Sequence, residues 1–281
     1  MHLLPAHDCI AAASPGYNPS MRSYMALFAF YFLIGASWAE DIITLSTRGG
    51  VTQSYLLAAP EAGKARAVAI LFPGGAGKTD LERETARKVL DRGNFLVRTR
   101  QLFSGQGVAA AVMDAPSDQP NGMDDQFRLG TAHAEDIGKV VSDLKKRFPG
   151  LPVFLVGTSR GTISAASAGR QLGKTVDGVV LTSTLFLANR AQPGLSGFDF
   201  AAIPSPLLFV HHVDDGCNVT PYSSAKRVAD RFPVISVSGG LPPQSKPCEA
   251  MSQHGYLGKE SETVEAIANW ILKKPYSREI H

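Results

Sequence analysis

The chain has 281 residues, of which 44% are apolar, and this is enough to bury the core of one large domain or of two small ones. Its 28 basic residues stand against 25 acidic residues and give a net charge of +3, and no basic stripe with interleaved aromatic residues is present. This balance argues against a nucleic-acid partner and gives no reason to expect any polyanionic one.

The N-terminal segment has the pattern of an export signal. Arg22 precedes an apolar run over residues 24–35, which is too short to span a bilayer as a helix. The triplet Ser-Trp-Ala at residues 37–39 then places small residues on both sides of the tryptophan, as a signal-peptidase site requires. We therefore predict a signal peptide over residues 21–39 and a periplasmic or secreted chain with no stable membrane anchor after cleavage. An uncleaved anchor is the alternative interpretation.

The signal divides the chain into two parts. Residues 1–20 are rich in Ala, Pro and Ser and are interpreted as an extension, so whether the chain starts at Met1 or Met21 stays open. Residues 40–281 contain no linker that would split them. We predict that this second part is a single domain, with a mature chain that begins near Glu40.

Beyond the signal, short apolar runs alternate with helical patterns. The predicted strands are residues 42–47, 53–58, 67–72, 108–113, 153–156, 179–182, 207–210 and 234–237, and the predicted helices are residues 80–90, 134–148, 162–172, 222–232 and 260–273. This alternation predicts an α/β domain whose mostly parallel central sheet of about eight strands is flanked by helices on both faces. Such sheets carry their chemistry in the loops that follow the carboxyl ends of the strands.

The stretch after the predicted strand 153–156 carries the strongest signal for chemistry. Residues 157–161 read G-T-S-R-G and a predicted helix follows at once. In a G-x-S-x-G turn between a strand and a helix, the glycines leave room for neighbouring backbone, and the serine hydroxyl projects above the sheet edge. Ser159 is therefore the candidate nucleophile. The backbone N–H of Arg160, at the start of the helix, is a candidate oxyanion donor. A purely structural turn is the alternative.

A nucleophilic serine needs a base, and the base needs a carboxylate that orients it. Asp214 and Asp215 follow the predicted strand 207–210, and His254 lies in a loop before the last predicted helix. The chain order serine, acid, histidine resembles that of the α/β-hydrolase family. The resemblance extends over roughly residues 42–273 and favours the small exported hydrolases that lack a large lid.

The resemblance implies the α/β-hydrolase fold and assigns roles to individual residues. The family carries His-Gly-x-x-Asp after this strand, and alignment on His211 places the acid at Asp215, with Asp214 as the alternative acid. His254 stands where the family has its catalytic base.

The glycine-rich stretch LFPGGAGKTD, residues 71–80, has two interpretations. In the α/β-hydrolase family, the loop after the third strand donates a backbone N–H to the oxyanion hole, and the resemblance implies Gly75 as this donor, with Ala76 next. The Gly-Lys-Thr within the stretch is instead typical of a phosphate-binding P-loop. That motif requires a glycine at position 72, where this chain has Phe72. A P-loop-like phosphate-binding enzyme is therefore the weaker alternative.

The chain has three cysteines, of which Cys9 lies in the segment that export would remove. Cys217 and Cys248 remain as an even pair in an oxidising compartment, which favours a disulfide between them. Such a bond would join the loops that carry the candidate acid and the candidate base. Two separate buried thiols are the alternative.

Together these residues predict an exported serine hydrolase that cleaves an ester, through a Ser-Asp-His triad and a covalent acyl-enzyme. A peptide or thioester substrate stays open, and the rival from another class is a non-catalytic binding protein with the same fold. We expect a small-molecule acyl substrate, no cofactor and no metal. A metal site at His211, His212, Asp214 and Asp215 is conceivable, but no further ligand cluster in the sequence supports it. The oligomeric state is not indicated.

Overall fold

The central element of the structure is a sheet to which nine strands contribute within the described residues. The computed structural model describes residues 40–81, 93–189 and 192–281, so the predicted extension and signal peptide lie outside the described residues. The strands are β1 (Glu40–Ser46), β2 (Thr52–Ala58), β3 (Ala67–Phe72), β4 (Val108–Met113), β5 (Val153–Thr158), β6 (Gly178–Thr182), β7 (Leu207–His212), β8 (Val234–Val237) and β9 (Glu279–Ile280).

The strands lie in the order β1-β2-β4-β3-β5-β6-β7-β8-β9. β1 and β2 form an antiparallel hairpin in which Ser46 faces Thr52, and β2 is also antiparallel to β4. All other neighbours in the sheet run parallel. The prediction of a mostly parallel sheet is confirmed, and the carboxyl ends of β3, β5, β6 and β7 meet at one edge.

Helices cover the sheet. They are α1 (Phe95–Arg98), α2 (Arg100–Gly105), α3 (Asp125–Leu129), α4 (Thr131–Arg147), α5 (Gly161–Leu172), α6 (Tyr222–Val228) and α7 (Glu260–Ile271), with single 3-10 turns at Gly173–Thr175, Phe200–Ala202 and Gln253–Gly255. No helix in the three described ranges is both long enough and apolar enough to cross a bilayer.

Successive residues of the central strands enter different cores, because side chains alternate between the two faces of a sheet. Along β3, Val68, Ile70 and Phe72 join the cluster that α4 and α5 cover. Their neighbours Ala69 and Leu71 join the opposite cluster, which α7 covers. All six residues of β3 are buried. Burial on both faces explains why this strand is a continuous apolar run rather than an alternating one.

The structure differs from the sequence-based prediction in its short elements and its boundaries. The helices α1, α2 and α3 have four to six residues each, too few for a helical period to stand out, and β9 has only two. Helix α4 begins three residues earlier than predicted, at Thr131. Most of the predicted helix 80–90 lies outside the described residues, and Leu81 is in a turn.

Candidate active site

The turn that carries Ser159 is sterically demanding. Ser159 has a φ of +52°, in the left-handed region that residues other than glycine rarely adopt. A Cβ on Gly157 would collide with the carbonyl of Gly161, and a Cβ on Gly161 would collide with the carbonyl of Phe72. Both glycines of the G-x-S-x-G motif are therefore required by close packing. Backbone strain of this kind is characteristic of functional sites.

Hydrogen bonds on both sides hold this turn in place. The Ser159 N–H donates to the carbonyl of Thr182 at the end of β6, at 3.0 Å. The Ser159 carbonyl accepts from the backbone N–H of Thr162 at 2.9 Å and from its hydroxyl at 2.6 Å. The backbone of Ser159 is thus fixed at the carboxyl edge of β5, just before helix α5 begins.

His254 and Asp215 come together from loops 39 residues apart. The Nδ1 atom of His254 lies 2.9 Å from Oδ2 of Asp215 and 3.2 Å from Oδ1. The same carboxylate accepts from the backbone N–H of Cys217 at 3.0 Å and from the Thr220 hydroxyl at 2.9 Å. Both side chains are buried. The Nε2 atom of His254 is buried and has no hydrogen-bond partner among the described residues.

The structure distinguishes the two acids that the sequence left open. Asp214 is exposed, and its backbone N–H donates to Nδ1 of His212 at 3.1 Å. Only Asp215, of these two, turns its carboxylate toward His254. The hydroxyl of Thr220, which sequence reasoning missed, completes the environment of that carboxylate; no motif singles out this threonine.

A second set of contacts fixes the loop of His254. The Ser183 hydroxyl, just after β6, donates to the His254 carbonyl at 2.8 Å. The buried Tyr256 hydroxyl accepts from the Ser183 N–H and donates to the Val210 carbonyl at 2.8 Å. Arg98 donates to the Gly255 carbonyl and pairs with Glu260 at 3.0 Å. Burial lowers the pKa of Arg98, and the hydrogen bond that Arg98 donates to Glu260 opposes this effect. The histidine loop is therefore bound to β6, β7 and α1.

The predicted oxyanion loop lies directly against the serine. A Cβ on Gly74 would stand only 2.9 Å from the Ser159 Cβ, so the backbone there approaches as closely as glycine allows. Gly75 has a φ of +60°. Within the described part of the chain, the backbone N–H groups of Gly75 and Arg160 donate to no protein acceptor. They are therefore available to an external acceptor beside Ser159.

Ser159, His254 and the Gly74–Gly75 backbone share one cleft of about 290 Å³. Its lining residues are Gly74, Gly75, Asn94, Phe95, Thr158, Ser159, Cys248, Glu249, Ala250, His254 and Gly255. No sequence signal marks Phe95, Glu249 or Ala250, because they follow neither a predicted strand nor a motif. Asn94 could have been noticed as the N-cap of α1, where its side chain accepts from the Leu96 N–H.

The Gly-Lys-Thr stretch has a different environment from that of a P-loop. Asp114 follows β4, and its carboxylate accepts from the backbone N–H groups of Thr79, Leu81 and Ala115. Lys78 pairs with Asp80 at 3.1 Å. The carboxylate of Asp114 therefore serves to close the turn after the glycine loop.

The two remaining cysteines form a disulfide, with Cα atoms 4.6 Å apart. Cys217 also donates its N–H to Asp215, and Cys248 lines the cleft. The bond thus connects the segment of the acid with the segment that flanks the base. The bond can form because the sheet brings the loop after β7 and the loop before His254 together at this edge.

The two histidines beside Asp215 do not form a metal site in this structure. His211 is buried, burial lowers its pKa to about 4, and neither of its ring nitrogens has a partner among the described residues. His212 places its Nε2 against the Gly239 carbonyl at 3.0 Å. Across the described ranges, no group of three His, Cys, Asp or Glu side chains is arranged to hold a metal ion.

The mostly parallel sheet, with a strained serine turn between β5 and α5, is the α/β-hydrolase fold, so the predicted resemblance is confirmed. A family model described as serine aminopeptidase, S33, matches residues 104–232. The matched segment contains Ser159 and Asp215 and ends before His254. No curated protein matches this chain in sequence.

Solved structures with the same fold include several esterases. Est1E from Butyrivibrio proteoclasticus has a TM-score of 0.58 at 15% identity, over 83% of this chain and 98% of that one. The esterase domain of a Rhodothermus marinus protein has a TM-score of 0.55 at 13% identity, over 84% and 98%. A serine hydrolase without a lid from Xanthomonas campestris has a TM-score of 0.54 at 12% identity, over 85% and 96%. At these identities the likeness establishes the fold.

Proposed function

We propose that this chain is a serine hydrolase that cleaves carboxylic esters. The observation that carries the proposal is the hydrogen bonding of His254. Its Nδ1 is held by the Asp215 carboxylate, while its Nε2 has no partner among the described residues. The imidazole shares its cleft with the strained Ser159. A histidine oriented in this way is suited to accept a proton from the serine. The esterases among the solved structures of the same fold support an ester as the substrate.

In the proposed reaction, Ser159 Oγ forms a bond to the ester carbonyl carbon while His254 Nε2 takes the hydroxyl proton. The tetrahedral intermediate collapses, the bond to the alcohol oxygen breaks, and His254 returns the proton to that oxygen. Water then attacks the acyl-enzyme in the same manner and releases the acid. Asp215 stabilises the imidazolium in both halves and holds the tautomer that leaves Nε2 free to accept.

The developing negative charge falls beside two backbone donors. Gly75 and Arg160 supply N–H groups from the loop after β3 and from the start of α5. Fixed donors of this kind are worth about 10²–10³ in rate each, because they are oriented before the charge appears.

The experiment that tests this proposal is labelling with a fluorophosphonate, which reacts with activated serines. We expect label on Ser159 in the wild type and no label in Ser159→Ala, together with hydrolysis of p-nitrophenyl acetate by the wild type alone. Lack of both label and hydrolysis in folded protein favours the non-catalytic alternative. Because the matching family model describes aminopeptidases, amino-acid p-nitroanilides belong in the same assay. Faster turnover of anilides than of esters would overturn the choice of ester.

We also propose that the chain is exported. A disulfide between Cys217 and Cys248 is expected to persist in an oxidising compartment and supports this assignment. The experiment is N-terminal sequencing of the protein recovered outside the cytoplasm, with an expected first residue at or near Glu40. Recovery of the whole chain in the cytoplasm with reduced cysteines would contradict export.

A further inference from the structure

Behind the oxyanion loop lies a buried arginine that the proposed reaction does not use. Arg128 on α3 is 1% exposed. Its Nη2 donates to the Gly75 carbonyl at 3.2 Å and its Nη1 donates to the Ser164 hydroxyl at 2.8 Å. Ser164 belongs to α5, the helix that begins just after Ser159. The guanidinium therefore connects the oxyanion loop with the helix that follows the nucleophile.

This guanidinium has no carboxylate within ion-pair distance in the part of the chain that the structure describes, and its Nε has no hydrogen-bond partner there. Asp125 and Asp124 are its acidic neighbours, but Asp125 pairs with Arg160 at 2.6 Å and accepts from the Gly194 N–H, and Asp124 accepts from the Phe127 N–H. Burial, reinforced by the charge of Arg160, lowers the pKa of Arg128 to about 9. Burying a cation whose hydrogen-bond acceptors are neutral is unfavourable, so its place here calls for an explanation.

The loop that Arg128 contacts is rich in glycine and depends partly on contacts outside itself to hold its conformation. Gly74, Gly75 and Gly77 make up three of its four residues from 74 to 77, and glycine adopts positive and negative φ with similar ease. The loop closes through a bond from the Gly77 N–H to the Gly74 carbonyl, and the Ala76 carbonyl accepts from the Met123 N–H. The Gly75 carbonyl, by contrast, is held by Arg128.

The loop also packs closely against the guanidinium of Arg128. A Cβ on Gly77 would collide with the Nη2 atom of Arg128. The loop thus folds over the arginine, with the Gly75 carbonyl on the inner side and the backbone of Gly75 lining the cleft. A hydrogen bond to a charged donor is stronger than one between neutral groups, so this contact restrains the Gly75–Ala76 peptide within the loop.

We infer that Arg128 is a positioning residue. Its guanidinium holds the carbonyl of the Gly75–Ala76 peptide and thereby fixes the adjoining Gly74–Gly75 peptide, whose N–H is the proposed oxyanion donor. The inference rests on the proposed function, because it needs an oxyanion at Ser159. It makes the rate of the chemical step, rather than substrate binding, depend on a side chain that never touches substrate. Ser164 supports the arginine, and His133 Nε2 lies 3.0 Å from the Ser164 hydroxyl at the far end of the same chain of contacts.

The test compares Arg128→Met with the wild type in three measurements: kcat and KM for p-nitrophenyl acetate, the affinity of a trifluoromethyl ketone that binds as an oxyanion, and the melting temperature. We expect kcat to fall about 10- to 100-fold and the ketone affinity to fall by a similar factor, while KM changes less than about threefold. Arg128→Lys, which keeps one charged donor, is expected to recover part of the loss.

The matched control is Arg100→Met, which also removes a buried arginine, but one that bonds Glu40 and the Val97 carbonyl and does not line the cleft. We expect it to lower the melting temperature and to leave kcat unchanged. If Arg128→Met does not fold, Arg128→Lys and Ser164→Ala carry the test, with a several-fold loss of kcat and of ketone affinity expected in each. A kcat that stays within threefold of wild type in the folded variants overturns the inference.

The two proposals fail in different ways. A wild-type protein that is labelled at Ser159 and hydrolyses esters, with Arg128 variants that differ only in melting temperature, contradicts the role of Arg128 alone. A loss of kcat in Arg100→Met as large as that in Arg128→Met contradicts it as well. A folded wild type with neither label nor hydrolysis overturns both the proposed function and this inference.

Discussion

The carboxylate of Asp215 holds the imidazole of His254 at 2.9 Å, although the two residues lie in loops on opposite sides of β8 in the chain. The carboxylate accepts from two further donors, the Cys217 N–H and the Thr220 hydroxyl. A carboxylate that accepts hydrogen bonds from three donors is held in position and does not easily rotate away from the histidine. Each residue of the proposed site therefore has a separate role, and its substitution has a separate effect that can be measured.

Ser159→Ala is expected to abolish ester hydrolysis, with a loss of at least about 10³-fold in kcat, because the nucleophile is removed. Alanine fits the same turn, so the melting temperature is expected to change little. The measurement is the hydrolysis of short p-nitrophenyl esters, with the exposed Ser142→Ala as the control. Near-normal turnover by the Ser159 variant would remove this residue from the mechanism.

Asp215→Asn is expected to cost at least about tenfold more activity than Asp214→Asn. The amide at position 215 can donate to Nδ1 and so favours the wrong imidazole tautomer, whereas Asp214 is exposed and makes no side-chain contact with His254. Both variants remove one negative charge, so each controls for the other. Equal losses in kcat/KM, or a larger loss at Asp214, would contradict the assignment of the acid.

Reduction of the bond between Cys217 and Cys248 is expected to lower stability by about 3–4 kcal/mol, since it frees a segment of 31 residues in the unfolded chain. It is also expected to lower kcat, because Cys217 bonds Asp215 and Cys248 lines the cleft. Urea unfolding and turnover, each with and without reductant, measure the two effects, and Cys217→Ser with Cys248→Ser is the genetic equivalent. If unfolding changes and turnover does not, the bond serves stability alone.

Acidification is expected to destabilise the protein through its buried histidines. Burial lowers the pKa of His211 to about 4 and that of His133 to about 3, against an ordinary value near 6.5. Between these values the unfolded chain binds protons that the folded chain does not, so stability falls as the pH drops from about 6.5 toward 4.

His211→Phe tests this linkage, because the His211 ring stacks on Phe186 and its nitrogens have no partners among the described residues. We expect the variant to lose less stability than the wild type between pH 7.5 and pH 5 in urea unfolding. His133 still titrates, so the loss shrinks without vanishing. The exposed His281→Ala is the control. An unchanged pH dependence in His211→Phe would show that His211 does not contribute.

The sequence by itself determined the α/β class, the mostly parallel sheet and the serine turn. Strands that are buried on both faces are recognisable in the sequence as continuous apolar runs. Glycines occupy positions 157 and 161, where any side chain would collide with the backbone. These features depend on residues close together in the chain, so local patterns carry them.

Only the tertiary structure decided which acid faces His254, which side chains line the cleft and what lies behind the oxyanion loop. Asp214 and Asp215 are adjacent and chemically identical, so the sequence does not distinguish them. In the fold, Asp214 is exposed, whereas Asp215 is the partner of the imidazole. Arg128 reaches Gly75 from 53 residues away, with no motif to mark it. Such contacts arise because parallel strands bring distant loops to one edge of the sheet, and their geometry is set by packing across the whole domain.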